Sequence, residues 1–511
     1  MNKTLTLDMN RVEGDLQVKV SVADGVVQDA WMLGTMFRGF EQIMLGRAPM
    51  DALVITPRIC GICGTGHLYA AVSALETALQ IPSAPNGTRV RNICLMAEEI
   101  QSDARHAFLM FTIDLCHKRY ANMDGYSQIV EAFEAFRGRI YRATVVQTKK
   151  LLEIVALFGG QWPHSSYMIP GGVATLGNRR AIVKSLSIVD AYTQWYEREV
   201  LGCSLDRWLA IQSEDDLFAW LDEKSEHRNS AFGLFLGFAK RIGLEKLGRG
   251  NGNLLSYGVY FDPEGFQPPY RDRVCLRPGG FYDAETQTIQ PFSQEHVAEH
   301  VKYSHFEGED KGTHPSCGKT IPLFQKGGNK YSWAKAPRYR DQVVETGCLA
   351  ELYMAGDPLA QSLFQKGGAT VFTRQICRFH RPALSLVAIR NMLIALEKRF
   401  LDSFYEPPKE GLDGDGDGVG LVHAARGALG HWVGFRAGRI TRYQVISPTS
   451  WNASPRDSYG RRGHWEQSLI GTPIQDESDP IELGHVIRSH DACLVCAVHF
   501  LESGRKYSYV V

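Results

Sequence analysis

Two cysteine pairs, Cys60-Gly61-Ile62-Cys63 and Cys493-Leu494-Val495-Cys496, are each followed within a few residues by a histidine, His67 and His499. Eleven cysteines are scattered over 511 residues. Chance placement at that density gives about 0.2 C-x-x-C pairs per chain, so two with matching histidines are not accidental. The spacing turns the backbone so that both sulfurs of a pair can reach one ion, and Gly61, Gly64 and Gly66 allow the tight path. A helix opening just after the first pair would favour thiolates at Cys60 and Cys63, because its positive end stabilises an anion. Soft sulfur donors select zinc, copper(I), iron–sulfur clusters or nickel over magnesium and calcium. Structural zinc is the plain alternative. Zinc ribbons, however, close their two pairs within about 15–20 residues, and here the pairs stand near opposite ends of the chain. A chain of this size does not need such a staple to build a core. The other seven cysteines, from Cys94 to Cys377, form no further pair and read as buried core thiols.

The elements that must bring the two pairs together are mainly helical. Alternation predicts strands over 4–7 and 16–22, with Ala23-Asp24-Gly25 turning the chain into a returning arm over 26–33. A short helix over 40–45 leads to the first pair, and a helix over 68–79 leaves it until the proline-rich stretch 82–87. Apolar residues at three- and four-residue intervals predict long helices over 89–115, 127–158 and 178–200, which should pack as a bundle. Residues 249–340 read as an irregular excursion with short strands. Helical periodicity returns over 343–353 and 382–400. A hairpin is expected over 431–435 and 440–446, and 481–488 leads into the second pair. The run Asp413-Gly414-Asp415-Gly416-Asp417-Gly418 copies the opening of a calcium loop, but Ala424 stands where the bidentate glutamate belongs, so it reads as a flexible polar loop. The fold class expected is α+β and helix-dominated: a long-helix bundle with small sheets at its periphery. No repeat or long linker divides it, so residues 1–511 are read as one domain.

Composition narrows the function classes. With 56 basic and 56 acidic residues and no Lys/Arg-rich run, nucleic acid is not the expected partner. No apolar run reaches the length of a membrane span. The opening MNKTLTLDMNRVEGD has no apolar core of a signal peptide, and the scattered cysteines suit a reducing compartment. A cytoplasmic protein is expected, with any membrane association coming through partners.

Taken together, Arg58-x-Cys60-Gly61-x-Cys63-x-x-x-His67 and Asp491-x-Cys493-x-x-Cys496-x-x-His499 resemble the two signature motifs of the nickel–iron hydrogenase large subunit. Arg11-Val12-Glu13-Gly14, Phe37-Arg38-Gly39-Phe40-Glu41, Arg426 to Trp432 and Pro448-Thr449-Ser450-Trp451-Asn452 resemble further landmarks of that family, in its order and over nearly the whole length. Asp491-Ala492 replaces the usual Asp-Pro and Ala425 replaces the Pro that commonly precedes the arginine. The first of these changes resembles the branch of cytoplasmic uptake hydrogenases.

The resemblance implies a catalytic subunit that cleaves H2 heterolytically at a Ni-Fe(CN)2(CO) centre. Cys60 and Cys493 would be terminal nickel ligands, and Cys63 and Cys496 would bridge nickel and iron. Glu13 would carry protons, since a buried carboxyl can have its pKa lifted toward neutrality. Arg426 would stand over the open metal position, held by Asp491 and Asp103. Thr449 would hydrogen-bond a cyanide and His67 would lie against a bridging sulfur. Glu41, the Val445 carbonyl and His499 would hold Mg2+. Electrons need a further relay that this chain lacks, so an iron–sulfur small subunit is the implied partner, with room for higher oligomers. A maturation protease and nickel and iron assembly factors are implied too. In the family a tail such as 500–511 is a propeptide-like extension removed after the histidine, and its presence speaks for an energy-yielding enzyme. The alternatives are a regulatory H2-sensing subunit and a structural four-cysteine zinc protein.

Overall fold

Alternating apolar residues from Leu16 onward produce the first sheet of the structure, a computed structural model that describes residues 3–175, 177–265, 274–309, 311–324, 328–408 and 412–497. Strands β1 (Lys3–Asp8), β2 (Leu16–Ala23) and β3 (Val26–Gly34) pair antiparallel in that order. Val18 lies opposite Met32 and Val20 opposite Ala30, all fully buried on one face. Asp24 and Gly25 supply the two positive φ angles of the tight turn between β2 and β3.

Helix α1 (Gly64–Leu79) starts at Cys63, which is its N-cap residue. Helix α2 (Pro85–Arg105) opens on a proline at its first position, where no backbone donor is lost, and runs on as a π-helical turn over His106–Phe111. The expected helix over 127–158 is three shorter ones, Tyr126–Phe133, α3 (Arg139–Leu151) and Glu153–Gly159. Gly138 marks the first break, since a Cβ there would lie 2.5 Å from the Ala132 carbonyl oxygen. Helix α4 (Arg179–Trp195) is capped by Asn178, whose side chain accepts from Arg180 N and Ala181 N.

Within the irregular stretch, β4 (Val297–His300) and β5 (Ala336–Tyr339) form an antiparallel pair. Helix α5 (Cys348–Met354) begins later than the periodicity suggested, and α6 (Val371–Lys398) begins much earlier. Pro382 lies inside α6 and does not start it. Helix α6 packs on α2 and α4, and α3 lies on α2, so the expected bundle forms.

Strands β6 (Gly416–Ala424), β7 (Gly427–Arg436) and β8 (Arg439–Ile446) make a second antiparallel sheet. The acidic run is therefore partly strand: Asp417 sits within β6 and accepts from Arg436 and Arg442 at 2.6 and 2.7 Å. Helix α1 lies directly on β6. A Cβ at Gly418 would meet the Ala74 carbonyl oxygen at 2.0 Å, and one at Gly420 the Ala70 oxygen at 1.9 Å. Only glycine at those strand positions lets the helix approach so closely. Helices α7 (Pro448–Asn452), α8 (Ile481–Arg488) and α9 (Leu494–Ala497) complete the path to the second cysteine pair. Among the described residues no helix is long and apolar enough to cross a membrane.

Candidate metal centre

Cys60 and Cys63 lie on the loop and N-cap before α1, and Cys493 lies between α8 and α9. Their three Sγ atoms are buried and all within 4.8 Å of one another, with Cys60 and Cys493 3.5 Å apart. The backbone of Cys496 belongs to α9; its side chain, His499 and the 500–511 extension lie outside the described residues. Three converging, buried thiols suit a soft, positively charged metal group.

Long-range bonds hold the two cysteine segments together. Glu13 forms a parallel bridge to Cys493, donating to Ala492 O at 3.0 Å and accepting from Leu494 N at 2.6 Å. Gly14 follows with φ +85°, and a Cβ there would be 2.8 Å from Val495 N, so Glu13 can approach only because its neighbour is glycine. The Arg38 guanidinium donates to both Ile59 O and Val495 O, tying one segment to the other. The Thr449 hydroxyl accepts from Cys493 N at 3.1 Å. The first-turn N–H groups of α1 serve a different acceptor from the thiolates expected. Thr65 N and Gly66 N donate to the Glu98 carboxyl at 2.9 and 3.1 Å. Burial lifts the Glu98 pKa to about 7 in spite of those bonds.

Arg426, in the turn from β6 to β7, is buried with its Nε 3.1 Å from Asp491 Oδ1. Its Nη1 has no hydrogen-bond partner among the described residues. Burial opposes its charge, but Asp491 and the three cysteine sulfurs stabilise it. Asp491 sits at φ +59° and, although burial pushes its pKa up, Arg426, His106 and Arg378 hold it below the usual value. Asp103 does not reach Arg426 as expected. It pairs with Arg378 at 2.8 Å and with Arg381 at 2.7 Å, and Arg378 in turn reaches Asp491 at 3.1 Å. Arg378 thus does the bracing that was expected of Asp103.

Glu13 is half-buried, and that burial, reinforced by the charge of Cys60, raises its pKa against the pull of Arg426. His67 is fully buried and held neutral by burial, its pKa lowered to about 4. Its Nδ1 meets His431 Nε2 at 3.1 Å, and His431 Nδ1 meets the Tyr443 hydroxyl at 2.8 Å. The Nε2 of His67 has no partner among the described residues. Unpartnered buried polar atoms on Arg426 and His67, beside three thiols, are what a large metal group would leave when its own contacts are omitted.

The expected magnesium ligands differ from this pattern. Glu41 is buried, accepts Val445 N at 2.8 Å, and faces the ammonium of Lys335 at 3.0 Å. The residues that sequence reasoning missed are Lys335, Glu98, Arg378 and Arg381. The arginines lie with Arg374 at positions 374, 378 and 381, the spacing of one helical face, which was the available signal.

The model of the nickel-dependent hydrogenase family matches residues 38–132 and 237–499. The periplasmic [NiFeSe] hydrogenase large subunit of Desulfomicrobium baculatum is 30% identical, the alignment covering 98% of this chain and 96% of the relative. The uptake hydrogenase large subunit of Rhodobacter capsulatus is 27% identical over 98% and 96% of the two chains. The solved structure of the Dm. baculatum enzyme superposes with a TM-score of 0.81 at 28% identity, covering 98% of this chain and all of that one. The four-cysteine zinc alternative is set aside by these matches, and the chain belongs to the nickel-dependent hydrogenase family, as a large subunit.

Proposed function

We propose that this chain is the catalytic subunit of an H2-oxidising hydrogenase, working in the uptake direction with an iron–sulfur small subunit. The observation carrying the proposal is the convergence of Cys60, Cys63 and Cys493 beneath Arg426, with Glu13 bridged to Cys493. Those cysteines, with Cys496, would hold a nickel–iron group carrying CO and cyanide, which supplies the Lewis acidity and redox capacity for splitting H2.

The chain's own residues do the rest. Arg426 holds a fixed positive charge over the pocket, anchored at Asp491, with Nη1 uncommitted, so polarising the substrate costs no reorganisation. Glu13, with its raised pKa, takes the proton at its carboxyl and passes it outward. Neutral His67 donates or accepts one hydrogen bond without adding charge beside the sulfurs. Thr449, whose oxygen is occupied by Cys493 N, keeps its O–H to donate to a cyanide nitrogen.

The exposed apolar residues Ile43, Leu45, Met50 and Val54 lie just before Cys60 and support a small-subunit face there. Leu45→Asp should weaken co-purification of the small subunit while leaving the large subunit folded. Asp491-Ala492 supports a place in the cytoplasm. Cell fractionation checks it, against a first relative named as periplasmic.

Infrared spectra of the complex purified from its own host test the centre. Bands of metal-bound CO and cyanide, with nickel and iron in the metal analysis, are expected. Zinc on the cysteines with no such bands would overturn the proposal.

A further inference from the structure

The carboxylate of Glu41 was expected to bind magnesium, and the residues around it do not fit that ion. Lys335 is only 8% exposed. Its Nζ lies 3.3 and 3.0 Å from the two Glu41 oxygens, 2.6 Å from Gln444 Oε1, 3.0 Å from Thr320 Oγ1 and 3.5 Å from Glu299 Oε2. Thr320 Oγ1 also donates to Glu41, and Gln444 Nε2 donates to Thr320 Oγ1 at 3.0 Å. Side-chain oxygens of Glu41, Glu299, Thr320 and Gln444 are thus already turned toward one ammonium.

The lysine is placed by rigid neighbours and is not a wandering surface side chain. It immediately precedes β5, and two residues earlier Trp333 donates to Gly34 O, at the end of β3, at 2.9 Å. The Trp333 ring stacks on Phe37 with centroids 5.1 Å apart. Glu41 itself is fixed from the opposite side by Val445 N of β8. A divalent ion beside Lys335 would set three positive charges against two carboxylates in a buried pocket, and the repulsion between ion and ammonium would be poorly screened.

We infer that Lys335 is a built-in replacement for the divalent cation, its ammonium joining Glu41, Glu299 and Gln444 so that β8 is tied to the N-terminal segment without magnesium. The chain then needs one metal group where two were expected. Lysine suits the role because its three donors can be shared among oxygens on different segments.

Metal analysis of the complete, loaded complex after exhaustive EDTA treatment tests this. Nickel and iron in the same sample report separately on loading of the cysteine site. Nickel without stoichiometric magnesium, and a melting temperature indifferent to EDTA and to added Mg2+, is the result expected. One magnesium retained per nickel, or a melting temperature lowered by EDTA, would overturn it. Lys335→Met, which keeps the stem and removes the charge, should bind one Mn2+ per large subunit by electron paramagnetic resonance and be stabilised by Mg2+. A folded Lys335→Met that ignores both ions shows the pocket is no cation site and also sinks the inference. Should the variant not fold, the wild-type metal count decides alone.

Discussion

Among the described residues two buried clusters carry donor types that hold metals, and they are built in opposite ways. One is the thiol pocket of Cys60, Cys63 and Cys493; the other is Glu345, His464 and His490. In the second, Arg374 takes both Glu345 oxygens, at 2.7 and 2.9 Å. His464 Nε2 lies 3.1 Å from Glu345 and 3.0 Å from His490, whose other nitrogen meets Val486 O at 3.0 Å. The charges are matched inside the protein, and Arg374 pulls the Glu345 pKa far down against burial. In the first cluster Arg426 and His67 feel the charge of the cysteine sulfurs, and Arg426 Nη1 and His67 Nε2 have no hydrogen-bond partner among the described residues; in the second only His464 Nδ1 is in that position. What separates the two is charge: a carboxylate already held by both arms of a guanidinium is an ionic lock, whereas thiols brought together without such a counter-ion on them are a metal site.

Substitutions can break this contrast. Cys493→Ser should have the largest effect, removing nickel and taking H2-dependent dye reduction below detection. Arg426→Lys keeps the charge but loses the Nε beside Asp491 and the uncommitted Nη1. It should retain nickel while kcat falls on the order of 100-fold. Arg374→Met should do the reverse, leaving nickel per folded molecule unchanged and destabilising the chain by about 3–5 kcal/mol in urea unfolding, because the buried Glu345 loses its permanent counter-charge and keeps only His464. Loss of nickel in Arg374→Met would erase the distinction between the clusters.

The smallest effect expected is on pH dependence beneath the thiol pocket. Glu98 titrates near 7 in the fold against an ordinary value of 4.5. Between those values the folded chain binds the extra proton, so its stabilising effect, full below 4.5, is lost as pH rises to about 7. Glu98→Gln removes that loss. The difference in stability between Glu98→Gln and wild type should therefore shift in the variant's favour from pH 5 to pH 8, by on the order of 1–3 kcal/mol. Parallel unfolding curves at the two pH values would show that the Glu98 pKa is not raised into this range by folding.

What was legible in the chain beforehand follows a physical divide. Cys60, Cys63 and Cys493, the first sheet and α8 follow local patterns of spacing and alternation, and they stand where the pattern put them. The first half of α6 was not legible. The helix was expected to start at Pro382, and Arg374, Arg378 and Arg381 before it carried no expectation, yet all four are buried within it. Their partners Glu345, Asp103, Asp491, Glu99 and Glu351 come from other parts of the chain. Hydropathy cannot mark such a helix as interior, because its burial depends on counter-charges far away in sequence. The same holds for Lys335, whose meaning lies in Glu41 and Gln444. Asp103 was expected to touch Arg426, and instead pairs with Arg378, which links it to Asp491.

The bridge between Glu13 and Cys493 joins a residue made early to one made late. At about 5–20 residues per second, the ribosome releases the first tens of seconds before the second. Throughout that interval Cys60 and Cys63 exist without their counterpart, open to whatever soft metal the cell offers. The order of assembly is thereby imposed by synthesis itself: the first pair can be loaded early, but the pocket can close only after the chain's distant half has been translated and has folded back against Glu13.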